Sequence, residues 1–371
     1  MENMDSRAWA EIDLAALEHN YREIRRALPP GCRFLGVVKA DAYNHGAAVV
    51  ARELERLGAE YLAVACLDEA LVLRRAGIRM PILILGTTGA QFAGTLADNA
   101  ITQTVCSLEM ARALSAALGK KTLKVHYKID TGMGRLGFKP EEARADLPAA
   151  LALPNLIPEG VFTHFAVSDE HDDFTLEQFR LFTDTVDEAE RRSGCRFTLR
   201  HCANTGAVIN YRETCLDMVR PGLALYGHYP AAERGGLDLR PVMQFKARIS
   251  AIHEHRPGET ISYGRQYTVV DRPIRAAVVS VGYADGVFRA LSGKMSLLIR
   301  GRSIRQIGRI CMDMCMADVT DVPCAVGDVV TIFGTDGEAV ASLDKLAAQA
   351  GTISYELLCA ISPRVPRIYL R

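Results

Sequence analysis

Several side chains of the types used for carbonyl and acid–base chemistry stand at marked places in this sequence. Lys39 follows the apolar run of FLGVVKADAYNHG, residues 34–46. Phe34 to Val38 predict a short buried strand. A lysine at the C-terminal lip of such a strand either snorkels to solvent or, partly desolvated and with a lowered pKa, is suited to form a Schiff base with a carbonyl. Tyr43, His45 and Gly46 follow closely. Arg135 lies in KIDTGMGRLGF, His164 closes EGVFTH, Asn204 and Thr205 lie in HCANTGA, and Arg220 opens a turn with Pro221 and Gly222. Further on come Tyr263 in ISYGRQYT, Tyr283 in GYADG, Met312 and Asp313 in GRICMDM, and Tyr355 in TISYELLCAISPRVPR.

The elements that must position these residues alternate. Asp13 is a candidate N-cap for a first helix whose Leu14, Leu17, Tyr21, Ile24 and Leu28 share one face. Strand patterns sit at 34–38, 61–65, 81–85, 101–105, 123–129, 159–164, 197–201 and 216–220. Helical patterns lie between most of them, including 47–57, 68–76, 107–118 and 174–193. Strand–helix alternation implies parallel pairing, and eight such units suggest a closed (β/α)8 barrel. On that fold, active sites lie where strands end and the following loops begin. Lys39, Arg135, His164, Asn204, Thr205 and Arg220 all fall at such places, so one rim of the barrel gathers them. After about residue 235 the pattern becomes mainly β, with strands expected at 242–253, 274–281, 295–300, 303–310, 315–320 and 328–333 and a helix near 342–350. The expected domains are thus 1–235, an α/β barrel, and 236–371, a mainly β domain, with N-terminal residues a candidate addition to the latter.

The composition sets outer bounds. The chain has 371 residues, 49% hydrophobic and 24% charged, as in an ordinary globular protein with room for two domains. Net charge is zero, so no basic surface argues for nucleic acid or an anionic membrane. The first residues, MENMDSRAWAEID, carry no apolar core of a secretory signal, and no apolar run reaches membrane-spanning length. The ten cysteines show no CxxC pair and read as reduced thiols, most of them buried, in a cytoplasmic protein. The acidic run DEHDD at 169–173 reads as solvated surface, and no metal site is expected.

FLGVVKADAYNHG resembles the lysine motif of the alanine racemase family, and matching motifs recur to the last residues of the chain. The resemblance implies a pyridoxal 5'-phosphate-dependent isomerase acting on a small amino acid, an alanine racemase that supplies D-alanine for peptidoglycan. It implies that Lys39 carries the cofactor. The hydroxyls of Tyr43, Thr205 and Tyr355 and the amides of Gly222 and Leu223 would cradle the phosphate, beside Asn204. Arg220 would face the pyridine nitrogen. Arginine only donates, so the ring nitrogen would stay unprotonated and the ring a weak electron sink, which discourages transamination. Taken alone, Arg220 also reads as a rim arginine paired with an acid such as Asp217.

Racemisation needs an acid/base group on each face of the substrate α-carbon. The resemblance assigns these roles to Lys39 and Tyr263, with Arg220 and His164 in a hydrogen-bonded chain leading to the tyrosine. Arg135 and the amide of Met312 would hold the substrate carboxylate, with Asp313 beside them and Tyr283 and Tyr355 near the substrate side chain. Tyr263, Met312 and Asp313 would come from a partner subunit, which implies a homodimer with shared active sites. Lys128 matches a lysine often carbamylated in the family. Otherwise it reads as a barrel lysine paired with an acid.

Two positions depart from the family pattern. Asn44 stands where Gly is usual, and Asn is the best other choice if the backbone there is left-handed. Thr205 stands where Ser is usual and keeps the hydroxyl. A serine-preferring racemase and a decarboxylase of the same architecture are the nearest alternatives; the latter would be expected to lack the Tyr263 and RICMDM motifs. A non-catalytic cofactor carrier would match the barrel alone.

Overall fold

A computed structural model describes residues 6–231 and 234–371. The chain divides into two compact units, one of residues 16–42 and 46–240, the other of residues 1–15, 43–45 and 241–371.

In the first unit, each of the eight expected barrel strands is present. In pairing order they are Leu199–His201, Leu156–Phe162, Leu123–Lys128, Ile101–Val105, Ile82–Ile84, Tyr61–Val64, Arg33–Val37 and Met218–Val219. Every pairing is parallel. The two ends of the series meet through Asp217 N–H to Arg200 O at 3.1 Å and Arg220 N–H to Ala203 O at 2.9 Å. A bridge of Asn204 with Arg220 completes the seam. The sheet is therefore a closed barrel. Helices Leu14–Ala27, Ala47–Leu57, Leu67–Arg75, Leu108–Leu118 and Phe174–Ser193 stand close to their expected spans.

The second unit is mainly β. Strands Met243–His255, Ile274–Val279, Cys315–Asp318, Arg302–Ile307, Ser296–Ile299 and Val329–Asp336 pair in that order, and the last returns to the first. That return closes a six-stranded antiparallel ring. Its apolar interior includes Phe245, Ala247, Ile249, Val279, Leu297, Ile299 and Val330, all nearly inaccessible. Strand Ala8–Asp13 has no counterpart among the elements expected from the sequence. It pairs antiparallel with Met243–His255 and parallel with the C-terminal strand Arg367–Leu370. Helix Leu343–Ala350 matches the expected one, and a second, Ser354–Ala360, follows it. Four of the ten cysteines, not most, are buried.

Candidate active site

The barrel strand Arg33–Val37 carries Lys39 to the rim, where it is half buried. The next five residues, Ala40, Asp41, Ala42, Tyr43 and Asn44, all adopt left-handed backbone, with φ of 52°, 52°, 56°, 52° and 63°. Left-handed conformation costs an L-residue about 1–2 kcal/mol, so the turn must be held from outside. Glu69 accepts the Ala40 N–H at 2.7 Å, Val38 O accepts the Ala42 N–H at 2.9 Å, and the Asp41 carboxylate accepts the Ala47 N–H at 2.7 Å. Asn44 occupies the left-handed position that a glycine would fill without strain.

Arg220 is buried, with no carboxylate within ion-pair distance among the described residues. Asp217 instead accepts the backbone N–H of Arg200. One Nη of Arg220 donates to Thr163 O at 2.8 Å and Cys202 O at 3.0 Å, with a long 3.5 Å approach to His164 Nδ1. The other donates to His201 Nδ1 at 2.9 Å. The guanidinium lies 5.3 Å from the Phe162 ring centroid. Burial lowers its pKa to about 10.

Four cations gather around His164. Burial first, then Arg220, Arg135, Lys128 and Lys39, hold its pKa well below the usual imidazole value, so it is neutral. Lys128 is buried, 5.5 Å from the Phe162 centroid, and has no acid within ion-pair distance among the described residues. Burial, with Arg135 and Arg220 nearby, lowers its pKa to about 8. Arg135 itself is exposed, but its loop is fixed. Asp130 accepts the N–H groups of Gly132, Gly134 and Arg135 at 3.1, 3.0 and 2.7 Å. Burial raises the Asp130 pKa, and these backbone donors outweigh it and hold it below the usual value.

The seam supplies the remaining rim groups. Asn204 caps helix Thr205–Asn210 by accepting the Ala207 N–H at 3.0 Å, and the Ser168 hydroxyl donates to the same oxygen at 2.7 Å. Thr205 accepts the Gly222 N–H at 3.0 Å, and Leu223 opens the following turn. The barrel thus brings Lys39, Lys128, Arg135, His164, Asn204, Thr205, Arg220, Gly222 and Leu223 to one rim. The DEHDD run is exposed.

The second unit holds the other candidates. Tyr43 is buried, its ring 5.9 Å from that of Tyr355 between centroids. Burial and the neighbouring Tyr355 and Cys359 raise its pKa. Tyr263 is 69% exposed, on a turn fixed by Ser262, whose hydroxyl donates to Arg309 O at 2.8 Å. Tyr283, Met312 and Asp313 come together because Gly282 lets two loops touch. A Cβ there would lie 2.4 Å from both Cys311 O and Met312 O. Tyr283 N–H donates to Cys311 O and Ala284 N–H to Met312 O, each at 3.0 Å. Buried Asp285 ties Arg7 and Arg364 beneath them, and Arg364 also donates to Asp313 at 2.7 Å. Tyr263, Tyr283, Met312 and Met314 are all substantially exposed.

Residues 12–230 match the model of the alanine racemase N-terminal domain, and residues 242–369 that of the C-terminal domain. The chain belongs to the alanine racemase family. An alanine racemase of Desulfovibrio desulfuricans is 48% identical, over 100% of both chains. One of Desulforamulus reducens is 44% identical, over 98% of each. The solved structure of a Clostridium difficile alanine racemase superposes with TM-score 0.94 at 39% identity, covering 99% of this chain and 97% of the other. The Bacillus anthracis alanine racemase with bound L-Ala-P superposes at 0.93 and 34% identity, over 100% and 96%.

Three residues beside the alanine racemase motifs are not singled out by the sequence: His126, His201 and Glu159, which reach Arg220 through the barrel interior. A signal was present in part. His126 stands two residues before Lys128 on one strand, so the two share a face.

Proposed function

We propose that this chain is a pyridoxal 5'-phosphate-dependent alanine racemase of the cytoplasm that interconverts L- and D-alanine and supplies D-alanine for peptidoglycan. The observation that carries the reading is the placement of Lys39, Lys128, Arg135, His164 and Arg220 where the parallel barrel strands end, at one rim. The residues fit the cofactor. A half-buried lysine suits its aldehyde. A buried arginine without a carboxylate partner among the described residues suits an uncharged ring nitrogen. The Thr205 hydroxyl and the amides of Gly222 and Leu223 at the barrel seam suit its phosphate, and the family resemblance adds the hydroxyls of Tyr43 and Tyr355.

When bound, the cofactor supplies the electron sink that acidifies the α-hydrogen of the amino acid. The chain's own groups do the rest. Arg220 would face the ring nitrogen as a donor only, which would leave that nitrogen unprotonated and the sink weak. Lys39 and Tyr263 take and return the α-proton on opposite faces of the substrate. Arg135, with the Met312 amide, holds the substrate carboxylate, and Asp313 keeps that loop in place through Arg364. Tyr283, Tyr355 and Met312 crowd the substrate side chain. One extra methylene in such a pocket is worth about 1–3 kcal/mol, so alanine is preferred over serine and larger residues are poor. A carbamate on Lys128 gives Arg135 an anionic partner. Tyr263, Met312 and Asp313 act in the active site of a second copy of the chain. The exposure of Tyr263, Tyr283, Met312 and Met314 supports an apolar surface that a partner covers.

The experiment is to incubate the purified protein with pyridoxal phosphate and single L-amino acids and to follow optical rotation. Alanine loses its rotation, serine more slowly, lysine hardly at all. Unchanged rotation with alanine contradicts the reading.

A further inference from the structure

The barrel interior carries a polar column where apolar layers are the rule. Arg220 donates to His201 Nδ1 at 2.9 Å, His201 Nε2 lies 2.9 Å from His126 Nδ1, and His126 Nε2 lies 3.4 Å from Glu159 Oε2. Both histidines are completely buried. Lys124 donates to Glu159 Oε1 at 2.6 Å and the Tyr61 hydroxyl to Oε2 at 2.7 Å.

The fold is shaped to make this column. Val125 pairs with Pro158 but His126 with Gly160, so Glu159 is the extra residue of a bulge. Bulges re-aim side chains. The bare backbone of Gly160 leaves room for the imidazole, since a Cβ there would lie 2.7–2.8 Å from the His126 ring. The His201 ring stacks on Phe162, 4.8 Å between centroids and 6° between planes.

Chemistry fixes the direction of the protons. Burial, outweighing Glu159 for His126, lowers both imidazole pKa values, so both rings are neutral. Arginine can only donate, so His201 accepts at Nδ1 and carries its proton at Nε2. That proton points at His126 Nδ1, so the His126 proton is also at Nε2, facing Glu159. A carboxylate can only accept, and the three donors around Glu159 outweigh its burial and hold its pKa at about 2. The two ends of the column therefore demand the same orientation. Without the carboxylate the protons could reverse, and an Nδ1–H of His201 would then face the Arg220 donor.

We propose that Glu159 acts through His126 and His201 as a positioning residue for Arg220, fixing where the guanidinium presents its free donors at the rim. The proposal deepens the reading of Arg220 as partner of the cofactor ring nitrogen and rests on it.

Histidine-ring nitrogen NMR on the full-length, cofactor-loaded protein tests it. In the native protein at neutral pH both His126 and His201 carry one proton, at Nε2, the tautomer that Arg220 at one end and Glu159, with Lys124 and Tyr61 around it, at the other both demand. In Glu159→Gln, Lys124 keeps the amide oxygen and the amide NH2 faces His126, so both histidines shift towards the Nδ1–H form. The kcat then falls roughly tenfold, the scale of one misaligned charged hydrogen bond, with KM nearly unchanged. A proton at Nδ1 on either native histidine overturns the proposal, and this reading stands even if the variant fails to fold. So does a Glu159→Gln protein with native tautomers and native kcat. Native tautomers as stated in a protein without racemase activity would instead overturn the functional reading and leave the column intact.

Discussion

Asn204 and Arg220 bridge the seam at which the first and last strands of the barrel meet. The closure of the fold and a deeply buried cation of the rim are thus one feature. Asn204 also caps helix Thr205–Asn210 through its side-chain oxygen. Asn204→Ala removes that cap and should lower unfolding stability by about 1–2 kcal/mol in urea titration. Asn204→Asp keeps an acceptor for Ala207 N–H and for Ser168, so stability should stay near native. The added negative charge beside the proposed phosphate cradle should weaken pyridoxal phosphate binding all the same. Equal cofactor affinity in the native and Asp proteins would argue against a phosphate site there.

Asn44 donates its side-chain amide to Leu358 O, Cys359 O and Ile361 O at 3.1, 2.7 and 2.9 Å, the end of the helix that bears Tyr355. Asn44→Gly loses these bonds but relieves the left-handed backbone, for a net loss of about 1 kcal/mol. Asn44→Ala loses the same bonds and keeps the strain, for about 2–3 kcal/mol. Urea unfolding of the two variants checks the order. An Ala variant as stable as the Gly variant would mean the left-handed strain is not felt.

The barrel was legible in the sequence because eight apolar runs alternate with helical ones, and the rim residues were legible because they follow those runs. The strand Ala8–Asp13 was not, because AWAEID is short and its partners lie far along the chain, at 243–247 and 367–370. Glu159, His126 and His201 were hidden for another reason. Only the bulge between the strands Leu123–Lys128 and Leu156–Phe162 turns Glu159 towards His126, and no periodicity marks a bulge. Asn44 was legible as a departure, but its contacts with residues more than 300 positions away were not.

Lys128 should react with carbon dioxide as its neutral amine. The amine has a pKa of about 8, against about 10.4 when unfolded, so the reactive form grows as pH rises through 8. Between these values the unfolded chain holds the extra proton, so raising the pH there also favours the native state. With 13C-bicarbonate, the carbamate resonance should be stronger at about pH 9 than at pH 7 and absent in Lys128→Ala. A resonance that persists in that variant would place the carbamate elsewhere.

If Tyr263 serves a second copy of the chain, Lys39→Ala and Tyr263→Ala proteins are each inactive alone. Mixed under subunit exchange they should regain activity, because one kind of interface then pairs an intact Lys39 with an intact Tyr263. No recovery despite demonstrated exchange would mean that the tyrosine acts within its own chain.

The two-base mechanism is tested most directly by removing one hydroxyl. Tyr263→Phe should still bind pyridoxal phosphate and either enantiomer of alanine. Its racemisation should fall by roughly 10²–10⁴-fold, the usual loss for a positioned acid/base group. In deuterated water, α-deuterium incorporation is followed by proton NMR on each enantiomer separately. The family resemblance assigns the α-proton of L-alanine to Tyr263 and that of D-alanine to Lys39, so with Lys39 as the only remaining base D-alanine should exchange its α-proton faster than L-alanine. Equal exchange from both enantiomers, or near-native racemisation by the variant, would show that Tyr263 is not the second base.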